Sequence, residues 1–268
     1  MMSTTVRACG FALVLVTIAY LKPNCSRAQA NQRMWLPAVP PRDKLDLAFR
    51  PFVRANTKTV GGSPITGIDP VPEDFQAATQ ASMTAFGRYP LRLVKENVEA
   101  VHVVQNLKIG GTAAVSGWSE SGIFISSVPH GPADDAIYAQ QVETKWHESF
   151  AKILLARHRS LFPEAEWNAA LPSGFSYDGS IASQMGWEQT QSTVEDLRAG
   201  FVSRFSRSHL ANDVSALAAQ LFVTPSSVRA WSKQSMPLAR KLRVLIKFYE
   251  RLDPSMNDAF FAALRDLQ

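Results

Sequence analysis

The chain has 268 residues, 46% of them hydrophobic, with a formal charge of +5 and two cysteines. That length and apolar content exclude a minimal disulfide-stapled scaffold and allow one large domain or two small ones around a proper core. The charge gives little support to nucleic-acid binding, because much of it lies in the first thirty residues.

In those residues Arg7 precedes an apolar run over 10–21, and Ala28-Gln29-Ala30 supplies a small-x-small cleavage site. The run is shorter than the ~20 residues of a membrane span, so residues 1–30 read as a secretory signal peptide. The mature chain is expected to be exported, periplasmic or extracellular, with no membrane span. Cys25 invites a lipoprotein reading, but Lys22-Pro23-Asn24 before it make a poor lipobox, so that reading ranks second. Arg7, Lys22 and Arg27 leave with the leader and no acid does, which lowers the formal charge from +5 to +2. Cys9 and Cys25 leave too, which excludes disulfides and cysteine ligands. Enzyme chemistry would then rest on His, carboxylates, Ser or Tyr.

Residues 31–72 form a Pro-rich, irregular N-terminal arm, broken by Pro37, Pro40, Pro41, Pro51, Pro64 and Pro70 and by Gly61-Gly62. Two short apolar pieces, Met34-Trp35-Leu36 and 45–52, can lie across a core. Residues 73–268 read as one domain. Phe75, Ala78, Met83 and Phe86 predict a helix over 74–86. Branched residues over 89–93 and 98–107 predict strands, as do 113–118 and 122–127 with Ser119-Glu120-Ser121 between them. The turn Ile109-Gly110-Gly111-Thr112 has too few glycines for a phosphate loop.

A long helix is expected from Asp135 to about Ser160, with Val142, Trp146, Phe150, Ile153 and Leu161 as its core stripe. Further helices are expected over 193–206, from an Asn212 or Asp213 N-cap, from Pro225, over 237–252 and over 254–267. In the 237–252 helix Arg240, Lys241, Arg243, Lys247 and Arg251 form a solvated basic face opposite Leu242, Leu245, Ile246 and Tyr249. The fold class is α+β, a small antiparallel or mixed sheet followed by a helical C-terminal half.

The long helix carries the one pattern that suggests chemistry. A zincin places two histidines at i and i+4 on a helix, with a water-polarising Glu after the first. His147-Glu148-Ser149-Phe150-Ala151 supplies the His and Glu, but Ala151 stands where the second His belongs. His158, eleven residues on, is roughly 16 Å away at 1.5 Å rise per residue and cannot share an ion with His147. The remaining histidines, His102, His130 and His209, include no close pair. Asp134-Asp135 and Glu164/Glu166 open helices, where they complement the dipole. No Gly-x-Ser-x-Gly elbow is present, which argues against a serine hydrolase.

The strand pattern and several short motifs nevertheless form a set. They are Ile153-Leu154-Leu155, Gly200-Phe201-Val202, Asn212-Asp213-Val214-Ser215-Ala216, Lys247-Phe248-Tyr249 and Phe260-Phe261. Over roughly residues 89–264 this set resembles bacterial secreted zincin-type zinc metallopeptidases. In that group the helix reads roughly His-Glu-Phe-Ala-His-Ile-Leu, and a later helix begins Glu-Asp-Phe-Ala-Glu, whose first Glu is a further ligand. The resemblance implies a zincin-like domain. Aligned on Phe150-Ala151 and Ile153-Leu154, it puts Glu148 on the first His, Ser149 on the catalytic Glu, Lys152 on the second His and Asn212 on the later Glu. All four depart from the pattern and read as vestigial. Glu148 and Lys152, at i and i+4, are expected to pair, either in place of the missing cation or as an ordinary surface pair.

The expected function is that of a catalytically inactive metallopeptidase homologue that binds a peptide or protein partner, without zinc or another cofactor. The expected mode is strand addition beside the 122–127 strand. One alternative is an active zinc metallopeptidase with a non-standard ligand set built on His147 and Glu148. The other is a cell-envelope structural protein using the Pro-rich arm. No nucleic-acid partner is expected.

Overall fold

Ten consecutive residues, Ala100–Ile109 (β3), form the strand on which the sheet is assembled in the computed structural model. The structure describes residues 48–51, 62–120, 122–127, 135–179 and 192–266, all within one unit spanning Pro37–Gln268. The expected signal peptide, Cys9, Cys25 and His130 lie outside them.

The first half of β3 runs parallel to Ala48–Pro51 (β1) on one side and to Gly122–Ser126 (β6) on the other. Its second half pairs antiparallel with Ile65–Ile68 (β2) and Thr112–Ala113 (β4). Ser116–Trp118 (β5) pairs antiparallel with β6 and gives the order β1-β3-β6-β5. The sheet is therefore mixed. Two pieces of the Pro-rich stretch, β1 and β2, belong to it. Val101, Val103, Ile123 and Ile125 face the main core. Val104, Leu107, Phe124 and Ile65 form a smaller core on the other side. Gly67 is required for close approach, since a Cβ there would clash with Val104 Cγ1 and lie 2.8 Å from the Gln105 carbonyl oxygen.

The helix Pro72–Phe86 (α1) begins with proline and has Glu73 and Asp74 in its first turn, both favourable at an N-terminus. Residues 89–93, expected as a strand, instead lead into a helix, Leu91–Asn97 (α2). Pro90 decides this, because its carbonyl accepts from the amides of Leu93 and Val94 while its own missing N–H costs nothing at a helix start. The long helix Asp135–Arg157 (α3) ends earlier than expected, in a 3₁₀ turn at Arg159–Leu161. Trp146, Phe150, Ile153 and Leu154 on it are fully buried. It packs against β5, β6 and α1, and also against Leu210–Val223 (α6).

The C-terminal half adds Glu164–Asn168 (α4), Val194–Arg198 (α5), Pro225–Gln234 (α7), Met236–Leu252 (α8) and Asp258–Ala263 (α9). The expected 193–206 helix is only α5, because Gly200 turns left-handed at φ +84° and Ser203 then starts a 3₁₀ turn at Arg204–Arg207. A Cβ at Gly200 would also lie 2.7 Å from Pro237 Cβ. The last helix starts at Asp258 rather than near 254, since Asp253 Oδ1 first captures Ser255 and Asn257 then caps the amides of Ala259 and Phe260. No helix among the described residues is long and apolar enough to cross a membrane.

Phe150 meets Tyr89 edge-on at 4.9 Å and Trp146 at 4.9 Å between ring centroids. Phe150→Ala is expected to cost about 3–5 kcal/mol of stability, read as a lower urea midpoint with an unchanged slope.

Candidate functional site

Neighbouring residues on a helix point about 100° apart, so His147 and Glu148 cannot serve one centre simply by adjacency. His147 turns into the core. Its Nδ1 lies 2.8 Å from the Tyr89 hydroxyl, its Nε2 lies 3.4 Å from Glu143 Oε1, and its ring stacks on Phe222 at 4.8 Å. Arg88 Nε donates to the same Glu143 oxygen at 2.7 Å, and Arg88 Nη1 donates to the carbonyls of Phe222 and Arg265. A neutral imidazole fits these contacts, with Nε2–H toward Glu143 and Nδ1 accepting from Tyr89. Burial pushes His147 below the usual histidine range, against the opposing pull of Glu143, and pushes the Tyr89 phenol well above its own. This network completes the core.

Glu148 turns the other way, into a groove of about 470 Å³ between α3 and α6. Thr144, Lys145 and Glu148 line it from α3, Gln220 from α6, Trp231 from α7, and Phe205 from the 3₁₀ turn. The expected Glu148–Lys152 pair is not formed. Lys145 Nζ donates to Glu148 Oε2 at 2.7 Å instead, using the i, i+3 spacing that is equally close on a helix. The Lys152 ammonium lies over the Phe205 ring, 5.3 Å from its centroid. Burial lowers it to about 8, with Glu148 opposing and Lys145 adding to the effect.

The other two vestigial positions do not converge on this groove. Ser149 is buried in α3. Asn212 Nδ2 donates to Ser208 Oγ at 2.8 Å. Neither Asn212 nor Asp213 caps α6, as expected from the sequence; the helix starts at Leu210, after His209 in extended backbone, and places both residues in its buried first turn. The strand-addition site is also corrected. β5 already covers β6, pairing Ser116, Gly117 and Trp118 with Ile125, Phe124 and Ile123, so β6 is an interior strand over those residues.

A buried ion pair that the sequence reading missed joins α6 to α8. Lys241 and Asp213 are fully buried, with Nζ 2.7 Å from Oδ2. Lys241 Nζ also donates to the Gly200 carbonyl at 2.9 Å and lies 3.8 Å from the Phe201 ring centroid. Asp213 Oδ2 accepts further from the Tyr177 hydroxyl at 2.8 Å and from Trp167 Nε1 at 3.2 Å. Burial raises the Asp213 carboxyl and lowers the Lys241 ammonium, and their mutual attraction opposes both shifts. The sequence pattern places Lys241 on the solvated basic face, and the structure buries it. The missed signal is spacing, since Lys241 sits three residues after Leu238 and four before Leu245, both fully buried.

The remaining described histidines are scattered. His158 Nε2 bonds Asn97 Oδ1 at 2.8 Å, His102 stacks on Phe124 at 4.8 Å, and His209 lies against Gly179. Among the described residues no three His, Cys, Asp or Glu side chains are grouped so as to hold a metal ion. The set Glu148, Ser149, Lys152 and Asn212 does not fit zinc either, since it offers one carboxylate and no imidazole, and a protonated ammonium has no lone pair to donate.

No family model matches the chain, and no curated protein matches it. Among solved structures it is similar to a putative zinc-binding metallo-peptidase from Bacteroides caccae ATCC 43185. The two are 12% identical, the match covers 82% of this chain and 86% of that one, and the TM-score is 0.49. A likeness at that level transfers no residue's role.

Lys241→Met leaves the Asp213 carboxylate buried without its cation and is expected to cost about 3–5 kcal/mol. Adding Asp213→Asn should recover part of that loss, a coupling that a double-mutant cycle in urea measures. His147 gives a pH dependence. Its folded pKa lies below the ordinary 6.5, so its contribution is fully present above pH 6.5 and is lost as the pH falls toward the folded value. Between pH 7 and about 5, His147→Gln is expected to flatten the acid-side decline in stability, read as urea midpoints across that range.

Proposed function

We propose that this chain is an exported, non-catalytic protein of zincin-like ancestry that binds a peptide segment in the groove between α3 and α6. The observation that carries the reading is the groove wall beside Glu148. Where the resemblance places the first zinc-binding histidine, Glu148 is held in an ion pair with Lys145. Side-chain amides and hydroxyls surround that pair. Gln140, Gln141 and Gln220 offer amides of the kind that bond a peptide backbone, and Trp231 and Phe205 offer apolar faces for its side chains. Gln220 Oε1 accepts from Thr224 Oγ1 at 2.8 Å, which orients that amide. A volume of this size suits a few residues of an extended chain better than a folded surface. Export rests on the leader-like first thirty residues, and zinc has no part in the reading.

Two measurements test it. Elemental analysis of protein incubated with excess zinc and then gel-filtered is expected to find no stoichiometric metal. About one zinc per chain, lost on Glu148→Ala, would overturn the non-catalytic reading. Fluorescence anisotropy with a pool of N-acetylated random hexapeptides is expected to show binding that Trp231→Ala weakens about tenfold or more. Equal binding by wild type and a folded Trp231→Ala variant would remove the groove from the account.

A further inference from the structure

A charge taken out of water is normally compensated by an opposite charge and hydrogen bonds, because its desolvation otherwise costs several kcal/mol or more. Lys241 follows that rule, with Asp213 and the Gly200 carbonyl as partners. Lys152 does not. It is only part-exposed, yet among the described residues its ammonium makes no ion pair and no hydrogen bond. The carboxylate one turn away, Glu148, is committed to Lys145 at 2.7 Å. What Lys152 Nζ has is the face of Phe205, and Phe205 is itself a wall of the groove. Lys152 does not itself line the groove; it adjoins it through Phe205 and lies one turn beyond Glu148, with no ion-pair partner among the described residues.

We infer that the Lys152 ammonium is the anion-holding end of this groove and that the bound peptide presents a carboxylate to it. The carboxylate comes either from the peptide's C-terminus or from an aspartate or glutamate side chain. This rests on the groove-binding reading above and specifies its ligand. An incoming carboxylate gives Lys152 a partner that the described residues do not supply, and the low dielectric at a part-buried position strengthens the contact relative to one in open water. Burial lowers the ammonium to about 8, and a bound carboxylate would raise it again. Of its charged neighbours, Glu148 favours the charged form and Lys145 opposes it.

The test compares three pools of N-acetylated hexapeptides of otherwise uncharged residues: one with a free C-terminal carboxylate, one amidated, and one amidated with a single central glutamate. Affinity is read by isothermal titration. The expected result is that one or both carboxylate-bearing pools bind about tenfold tighter than the uncharged amide pool, and that Lys152→Met abolishes the preference. The pool that gains identifies the source of the carboxylate. Equal binding of all three pools, or a preference that survives Lys152→Met, overturns the inference and leaves the groove reading standing. Binding by none of the pools overturns both. If the variant fails to fold, limited acetylation of wild-type protein decides, with Lys152 followed by mass spectrometry. Carboxylate-bearing peptides should slow its modification severalfold and amide peptides should not; equal protection by both overturns the inference.

Discussion

The constraint on which this molecule depends is the burial of α3. The sheet strands β5 and β6 press on it, and so do α1 and α6. A helix so enclosed has little freedom in where its side chains go, because its rotation is fixed by Trp146, Phe150, Ile153 and Leu154. Everything else about its chemistry follows from that orientation. His147 must enter the core, where Tyr89 and Glu143 receive it, and Glu148 must face the groove.

The C-terminal half has a comparable fixed point in the Asp213–Lys241 pair. Five segments meet there: α6 through Asp213, α8 through Lys241, α4 through Trp167, and the chain at Tyr177 and Gly200. Burying two charges is costly, and a hydrophobic pair of similar volume is often as stable. What an ionic centre adds is direction. A carboxylate oxygen that accepts three donors and an ammonium that also needs a carbonyl admit few alternative arrangements of those segments. Gly200 is part of the same solution, because its left-handed turn presents the carbonyl to Lys241 at a place too tight for any Cβ.

Much of the fold was legible in the residues. The α+β order, α1, the long α3 with its core stripe, the 122–127 strand and the helix starts at Pro225 and near Pro237 follow from periodicity and caps. The failures have physical causes. Branched residues over 89–93 suggested a strand, yet Pro90 initiates a helix there, a local backbone effect that outweighs side-chain propensity. Asn212 and Asp213 have the composition of an N-cap, but Asp213 is drawn into a tertiary ion pair that one-dimensional reading cannot contain. At the candidate site the residue types were readable and their partners were not. Lys145, Glu148 and Lys152 share one helix face, and which lysine takes the carboxylate is decided by Phe205, more than fifty residues away in the chain.

Arg88 has a consequence for how the chain reaches this state. Its guanidinium binds Glu143 and the Phe222 carbonyl, and also the carbonyl of Arg265, 177 residues further along. Nearby, Arg229 holds the carbonyls of Phe261 and Leu264, and Asp266 accepts from the Ser226 amide. The polar cluster around His147 is therefore closed by a residue far along the chain. Contacts of such long sequence separation pay their loop-closure entropy before they return any stability, which makes them late and slow. Until the segment around Arg265 docks, α3 lacks this final seal.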